Sequence, residues 1–330
     1  MPICEADPWR LQYFEGMSCP ENVFIPTEDG DAWQWFPQHR WVYNKLRIAE
    51  TQGFICGPHG IEPPSFPVFS KPIFNLRGMG TGSRPLRTVR EYKSAQRPGH
   101  VWMPFLTGEH VSTDVAVVDG HARWWRHAVG EPIQDGMFDH WVVLAERRPD
   151  IEAYGGNWIA THLPDYTGML NIETIGAKII EVHLRFADQW PDLYGGRTWV
   201  TALVGLYAKG QWNYTDSDRR DGYSVVLFGG HGLQYRHPPR DLIDEITSEP
   251  GINSVQITFH EDRPASWHAM PPGEFRLAIV NCHDREAGFR AREKLAVSFW
   301  STQTLRSTRR GIGTLPIRIR PPPEANPTIK

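Results

Sequence analysis

The dipeptide Asp119-Gly120 sits between two β-prone runs, Val111 to Val118 and Ala122 to Ala128. Asp-Gly supplies the positive φ angles that a two-residue turn between antiparallel strands requires. The chain is therefore committed to an antiparallel hairpin in its middle. A second hairpin follows, in which Met169 to Glu173 and Ile179 to Leu184 flank the turn Ile175-Gly176-Ala177. This one carries acids.

Length bounds what can be built around these hairpins. At roughly 100–200 residues per domain, 330 residues make about two domains with room for cores. Thirty-five basic and 38 acidic residues leave a net charge of −3, so the dense basic stripe that neutralises phosphates is missing and a nucleic-acid partner is not expected. No apolar run reaches the roughly 18–20 residues of a membrane helix, and Met1-Pro2-Ile3-Cys4-Glu5 has no signal-peptide pattern. Four scattered cysteines form no C-x-x-C pair. A soluble protein of the reducing cytoplasm, without membrane contact, is the expectation.

Along the chain, residues 1–41 read as an irregular, Pro-, Trp- and acid-rich arm, pinned to the body by Trp33, Trp35 and Trp41. Val42, Leu46 and Ala49 recur at helical spacing with Gly53 as a stop, which predicts a short helix carrying Lys45. The β-prone run Val68 to Lys71 leads into Asn75-Leu76-Arg77-Gly78-Met79-Gly80-Thr81-Gly82-Ser83-Arg84, a strand followed by a glycine-rich loop. His100 to Leu106 is a further strand. Helices are expected at 141–146, 149–160 and 199–207, the last stopped by Gly210. The charged stretch 214–222 reads as an exposed linker. After it, strands at 223–228, 255–259 and 276–280 alternate with helices at 241–247 and 285–299, an α+β pattern. The tail beyond Gly311 reads as extended.

Two constellations point to chemistry. Glycines 78, 80 and 82 let backbone N–H groups approach an anion, and Lys71, Arg77 and Arg84 beside them supply positive charge. On the second hairpin, Glu181, His183 and Arg185 share one face by the period-two rule, with Glu173 on the neighbouring strand. Two converging carboxylates repel unless a cation sits between them, and hard divalent ions suit carboxylate oxygens. A solvated charged face is the plain alternative. Arg123 and Arg126, in the Trp124-Trp125-Arg126-His127 strand, are further candidates to meet a substrate carboxylate. Gly229-Gly230-His231-Gly232 reads as a tight turn.

Taken in order, Lys45 on a helix, Pro67-Val68-Phe69-Ser70-Lys71-Pro72, the glycine loop, the strand into Phe105-Leu106-Thr107-Gly108-Glu109-His110, Asn171-Ile172-Glu173 and Glu181-Val182-His183-Leu184-Arg185 resemble the ATP-grasp superfamily of carboxylate–amine ligases. The resemblance covers about residues 41–210. No single motif is specific; their order is. It implies an α+β chain in which two α+β subdomains sandwich the nucleotide: a reduced N-terminal arm (1–41), a lid (42–106), a metal- and nucleotide-binding part (107–214), and a C-terminal α+β unit with its tail (215–330).

By the same resemblance Lys45 and Lys71 contact ATP phosphates, the Gly78–Gly82 loop closes over them, and the backbone from Met103 through Phe105 and Leu106 reads the adenine edge. Glu173 and Glu181 hold Mg2+ or Mn2+, with His183 beside them, and Arg185 faces the transferring phosphoryl group. The reaction implied is phosphorylation of a small-molecule carboxylate to an acyl phosphate that an amine attacks. Two alternatives stay open, a phosphotransferase of the same fold and a degenerate nucleotide-binding scaffold. So does a homodimer. The sequence departs from the family pattern in three places. His183 stands where an Asn is usual in acid-x-Asn-Pro-Arg, His110 with Glu109 beside it stands where a ribose-binding Glu is usual, and the N-terminal domain is cut to about 40 residues.

Overall fold

The computed structural model describes residues 3–5, 7–76, 80, 82–134, 137–230, 233–264, 267–268 and 274–307. The arm is more ordered than its composition suggests. Two short strands, β1 (Ile3–Cys4) and β2 (Ile25–Pro26), pair in parallel, with helix α1 (Pro8–Leu11) between them and α2 (Asp29–Trp35) after them. Helix α3 (Lys45–Thr51) starts where expected, capped by Asn44, whose side chain accepts the Arg47 N–H at 3.0 Å.

A four-stranded antiparallel sheet follows. It is made of β3 (Gly57–Pro58), β4 (Val68–Pro72), β5 (Arg84–Leu86) and β6 (His100–Pro104) in the order β3-β6-β4-β5, with α4 (Val89–Ala95) packed through Tyr92 and Ala95 against Val68, Leu86 and Trp102. The rest of the described chain builds one larger sheet and its helices. In chain order these are β7 (His110–Val118), β8 (His121–Gln134), β9 (Met137–Val143), α5 (Pro149–His162), β10 (Gly168–Ile175), β11 (Lys178–His183), α6 (Gly196–Lys209), β12 (Gly222–Gly230), α7 (Arg240–Thr247), β13 (Ile252–Ile257), β14 (Glu274–Cys282) and α8 (Arg285–Ser307). The eight strands lie in the order β11-β10-β7-β8-β9-β12-β14-β13, antiparallel throughout.

The Asp119-Gly120 turn joins β7 to β8 with φ of 48° and 69°, both in the left-handed region that a primed hairpin turn needs. A Cβ at Gly120 would fall 2.6 Å from Pro164, so no other residue fits there. Along β7 the alternation divides two cores. Val115 and Val117 face one cluster with Trp158 and Ile159 of α5, while Ala116 faces another with Trp199 and Leu203 of α6. The arm enters the second cluster through Phe14, Val23 and Ile25, all buried. Helix α8 covers the β12–β14 end through Ala291, Leu295 and Phe299.

Two expectations are corrected. Residues 141–143 are strand β9, not helix, because the bulky run Trp141-Val142-Val143 pairs with β8 on one side and β12 on the other; the helix begins at Pro149, a favoured first position. The 214–222 stretch is held to the body, since Trp124 Nε1 donates to Asp216 at 3.0 Å and Arg126 pairs with the same carboxylate. Strands β12, β13 and β14 of the 215–330 region extend the sheet begun by β7. Among the described residues no helix is long and apolar enough to cross a membrane.

Candidate functional site

The acids of the second hairpin meet as the period-two reading requires. In the β10–β11 register Glu173 stands directly opposite Glu181, and Asn171 opposite His183. Ligand atoms of Glu173, Glu181 and His183 all lie within 4.8 Å of one another. Such a pair of carboxylates needs positive charge around it, and the fold provides it from three directions. Lys45 of α3 ion-pairs with Glu181 through Nζ. His110, at the start of β7, donates from Nε2 to Glu173 at 3.1 Å. His183 places Nε2 3.5 Å from Glu181.

Behind His183 stands a residue that sequence reasoning missed. Asp29, in the first turn of α2, accepts from His183 Nδ1 at 3.0 Å and from Arg185 Nη2 at 3.0 Å. Burial by itself would raise the Asp29 carboxyl, but Arg185 and His183 outweigh it and hold the group far below the usual carboxylate range. The same contact acts on His183: burial lowers the imidazolium, and Asp29 more than compensates, lifting it to about 9. Burial likewise opposes ionisation of Glu181, yet Lys45 keeps it well below its ordinary value. Glu173 is lowered against burial by its hydrogen bond from His110.

A cleft of about 1230 Å³ opens between the two sheets and the arm. On the small-sheet side it is lined by Lys71, Met103, Phe105 and Leu106, and on the large-sheet side by Glu173, Glu181, His183 and Arg185. Lys71 is 3% exposed and donates to the Ile180 carbonyl at 2.7 Å; burial pulls its ammonium down to about 8. An open-cleft lysine is the simpler expectation for a strand-end residue before a loop, and β11 covers it instead. Lys45 reaches Glu181 from α3 without lining the cleft itself.

The glycine loop divides. Gly80 lines the cleft, Gly82 lines a smaller adjoining cavity with Ser83 and Arg84, and Gly78 lies outside the described residues, as do Arg77, His231 and Gly232. Glu109 is not brought to the cleft: its exposed carboxylate pairs with Arg148 at 3.4 Å, while its neighbour His110 turns inward. Arg126 is also removed as a substrate contact, being 1% exposed and bound to Asp216 and the Arg220 carbonyl.

The donor set suits a divalent metal. Two carboxylates from paired strands offer hard oxygens to Mg2+ or Mn2+, and His183 can add a ring nitrogen when neutral. Arg185, fixed by Asp29 and donating from Nη1 to the Phe186 carbonyl at 3.1 Å, stands at the same cleft.

No family model matches the chain, and no curated protein sequence matches it. Solved structures do. An L-amino acid ligase from Bacillus licheniformis aligns over 88% of this chain and 82% of its own, with TM-score 0.53 and 13% identity. The N5-carboxyaminoimidazole ribonucleotide synthetase from Thermus thermophilus aligns over 94% and 86%, with TM-score 0.53 and 15% identity. A carboxyaminoimidazole ribonucleotide synthase from Aspergillus clavatus, solved with ATP, aligns over 83% and 82%, with TM-score 0.54 and 10% identity. Identities this low speak to backbone architecture: the chain shares the α+β fold of these enzymes.

Proposed function

We propose that this protein is an ATP- and divalent-metal-dependent ligase that joins a small-molecule carboxylate to an amine. The observation that carries the reading is the pairing of Glu173 with Glu181 in the same cleft as Lys71 and Arg185. The site is split between two sheets, as a nucleotide held between a lid (42–106) and a metal-binding part (107–214) would need, with the arm (1–41) and the 215–330 region completing the body.

In this reading Glu173 and Glu181 hold Mg2+ or Mn2+, whose charge when bound offsets that of the phosphates. Lys71 contacts phosphate oxygens while Lys45 holds Glu181 from behind, Gly80 gives the backbone room to approach them, and Met103, Phe105 and Leu106 line the base. His110 is better placed than Glu109 to reach a ribose hydroxyl, because only His110 faces the cleft. Arg185, held in place by Asp29, stabilises negative charge on the phosphoryl group as it moves from ATP to the substrate carboxylate. The amine then attacks the carbonyl carbon of the acyl phosphate, and phosphate leaves as the C–N bond forms.

The test is direct. Mg-ATP at a hundredfold excess over Kd is expected to stabilise the protein by about 2.7 kcal/mol, read as a rise in Tm, and Glu181→Ala is expected to abolish that rise. Incubation with pairs of acids and amines, followed by ADP and mass analysis, is expected to give ADP together with a condensed product. A melting curve of the parent protein that ignores Mg-ATP overturns the nucleotide assignment. ADP with a phosphorylated acid that no amine consumes overturns the ligase assignment.

A further inference from the structure

Strand β4 carries polar groups on both faces of the small sheet. Phe69 and Lys71 line the large cleft, so Ser70 between them points to the opposite side. There it lines a separate cavity of about 160 Å³. The same wall holds Arg84, the cross-strand partner of Ser70 on β5, Arg97 in the turn after α4, and His100 at the start of β6. Among the described residues no carboxylate lines this cavity, and neither guanidinium makes a hydrogen bond or ion pair. Acids of α4 and the preceding loop are engaged elsewhere, since Glu62 pairs with Lys93 at 3.7 Å and Glu91 accepts the Arg87 N–H at 2.6 Å.

The neutral groups of the cavity have unfilled hydrogen-bonding capacity. His59 accepts the Arg97 backbone N–H on Nδ1 at 3.0 Å, so its neutral ring carries the hydrogen on Nε2 and donates it to Ser70 Oγ at 2.9 Å. Burial lowers the His59 imidazolium, and the positive neighbours His100 and Arg84 lower it further, which keeps the ring neutral. The hydroxyl hydrogen of Ser70 is thereby left for a ligand. His100 Nε2 is buried and has no hydrogen-bond partner among the described residues, an arrangement that native folds rarely leave unfilled. It faces Gly82, where a Cβ would fall 3.5 Å from it. Two guanidinium groups and a hydroxyl hydrogen complement the oxygens of a phosphate group; the hydroxyl of hydrogen phosphate donates to a neutral His100 ring, and a charged ring donates in return. The volume admits one phosphate group and not a nucleoside triphosphate. We infer that this cavity is a phosphate-binding site on the back of the small sheet, where the bound group joins β4, β5 and the turn between α4 and β6. It does not depend on the ligase reading. Arg84 lines both cavities, so the test turns on Arg97 and His100, which line only this one.

The experiment measures binding of inorganic phosphate and of phenyl phosphate to the full-length protein by calorimetry at pH 7.5. At least one of the two is expected to bind. Arg97→Gln and His100→Gln are each expected to weaken that binding by about 10- to 100-fold, the range for losing a charge-assisted contact, with far-ultraviolet circular dichroism as in the parent. Arg97 is exposed, so Arg97→Gln decides the matter should His100→Gln fail to fold. Arg90→Gln, which removes an exposed arginine of α4 outside the cavity, is expected to bind as the parent does. Inorganic phosphate binding alone identifies the ligand as the free ion, and phenyl phosphate binding that the same variants weaken identifies it as a phosphorylated molecule; both uphold the site. No binding of either probe to the parent, unchanged affinity in Arg97→Gln, or an equal loss in Arg90→Gln overturns the inference.

Discussion

At the residue scale the site turns on Asp29. It touches both His183 and Arg185, and through them it fixes the geometry of the proposed metal-binding face. Groups that orient ligands in this way are worth about 10–100-fold in activity or metal affinity. Asp29→Asn, nearly the same shape without the charge, is expected to lower kcat/KM by about that factor and to weaken Mn2+ binding, measured by electron paramagnetic resonance, while the protein stays folded by circular dichroism. Full activity in a folded variant would reduce Asp29 to packing. Lys71 gives a complementary case. Because it is buried without a carboxylate in contact, Lys71→Met is expected to cut turnover at least about 100-fold while leaving the urea midpoint unchanged or higher. The paired acids were legible because side-chain alternation is local and the turn at residues 175–177 fixes which strand faces which. Asp29 was not, because its partner lies 154 residues away and only the docking of the arm brings the two together.

Elements show the same division. The hairpin β7–β8 is written in its turn, and the alternation of Trp124-Trp125-Arg126-His127 is realised on both faces of β8. Trp124 packs near Trp199 of α6, and Trp125 lies against α5, where a Cβ at Gly155 would stand 3.2 Å from the indole. Strand β9 was lost to a helix-like spacing because its pairing partners, β8 and β12, lie on either side of it and periodicity over six residues does not separate the two states. His127 ties β8 to α5: it accepts from Thr113 through Nδ1 at 3.0 Å and, as a neutral ring, donates from Nε2 to Glu152 at 3.2 Å. Burial lowers its pKa to about 4, well under the unfolded value near 6.5. Between those values the unfolded chain binds the extra proton, so stability contributed by His127 is present above pH 6.5 and is lost as pH falls toward 4. The loss reaches about 3 kcal/mol at most. His127→Gln, which keeps a hydrogen-bonding side chain but does not titrate, is expected to narrow its stability gap to the parent over this range, measured by urea unfolding at pH 7 and pH 4.5. A gap that stays constant would show that the ring is charged in the fold.

For the whole molecule, the arm lines one side of the cleft. Composition suggested an irregular arm pinned by its tryptophans, since proline, tryptophan and acid carry no period; the structure makes it a wall. Residues 5–31 contribute Arg10, Asp29 and Asp31 to the cleft lining, and Phe14, Val23 and Ile25 to the core shared with α6 and the large sheet. The sheet is equally undivided, running from β11 through the first hairpin to β13 across the boundary where composition suggested a linker. Arm, sheet and site should then gain and lose their structure together. Phe14 is 1% exposed in that shared core, and a buried Phe→Ala change removes about 3–5 kcal/mol. Phe14→Ala is expected to lower the unfolding free energy by that amount in a single transition, and to raise the KM for substrate, because the arm lines the cleft through Arg10, Asp29 and Asp31. Urea titration followed by tryptophan fluorescence and by far-ultraviolet circular dichroism measures the first, and steady-state kinetics the second. A loss under about 1 kcal/mol, or an early separate transition for the arm, would make it a peripheral attachment and leave the cleft without one of its walls.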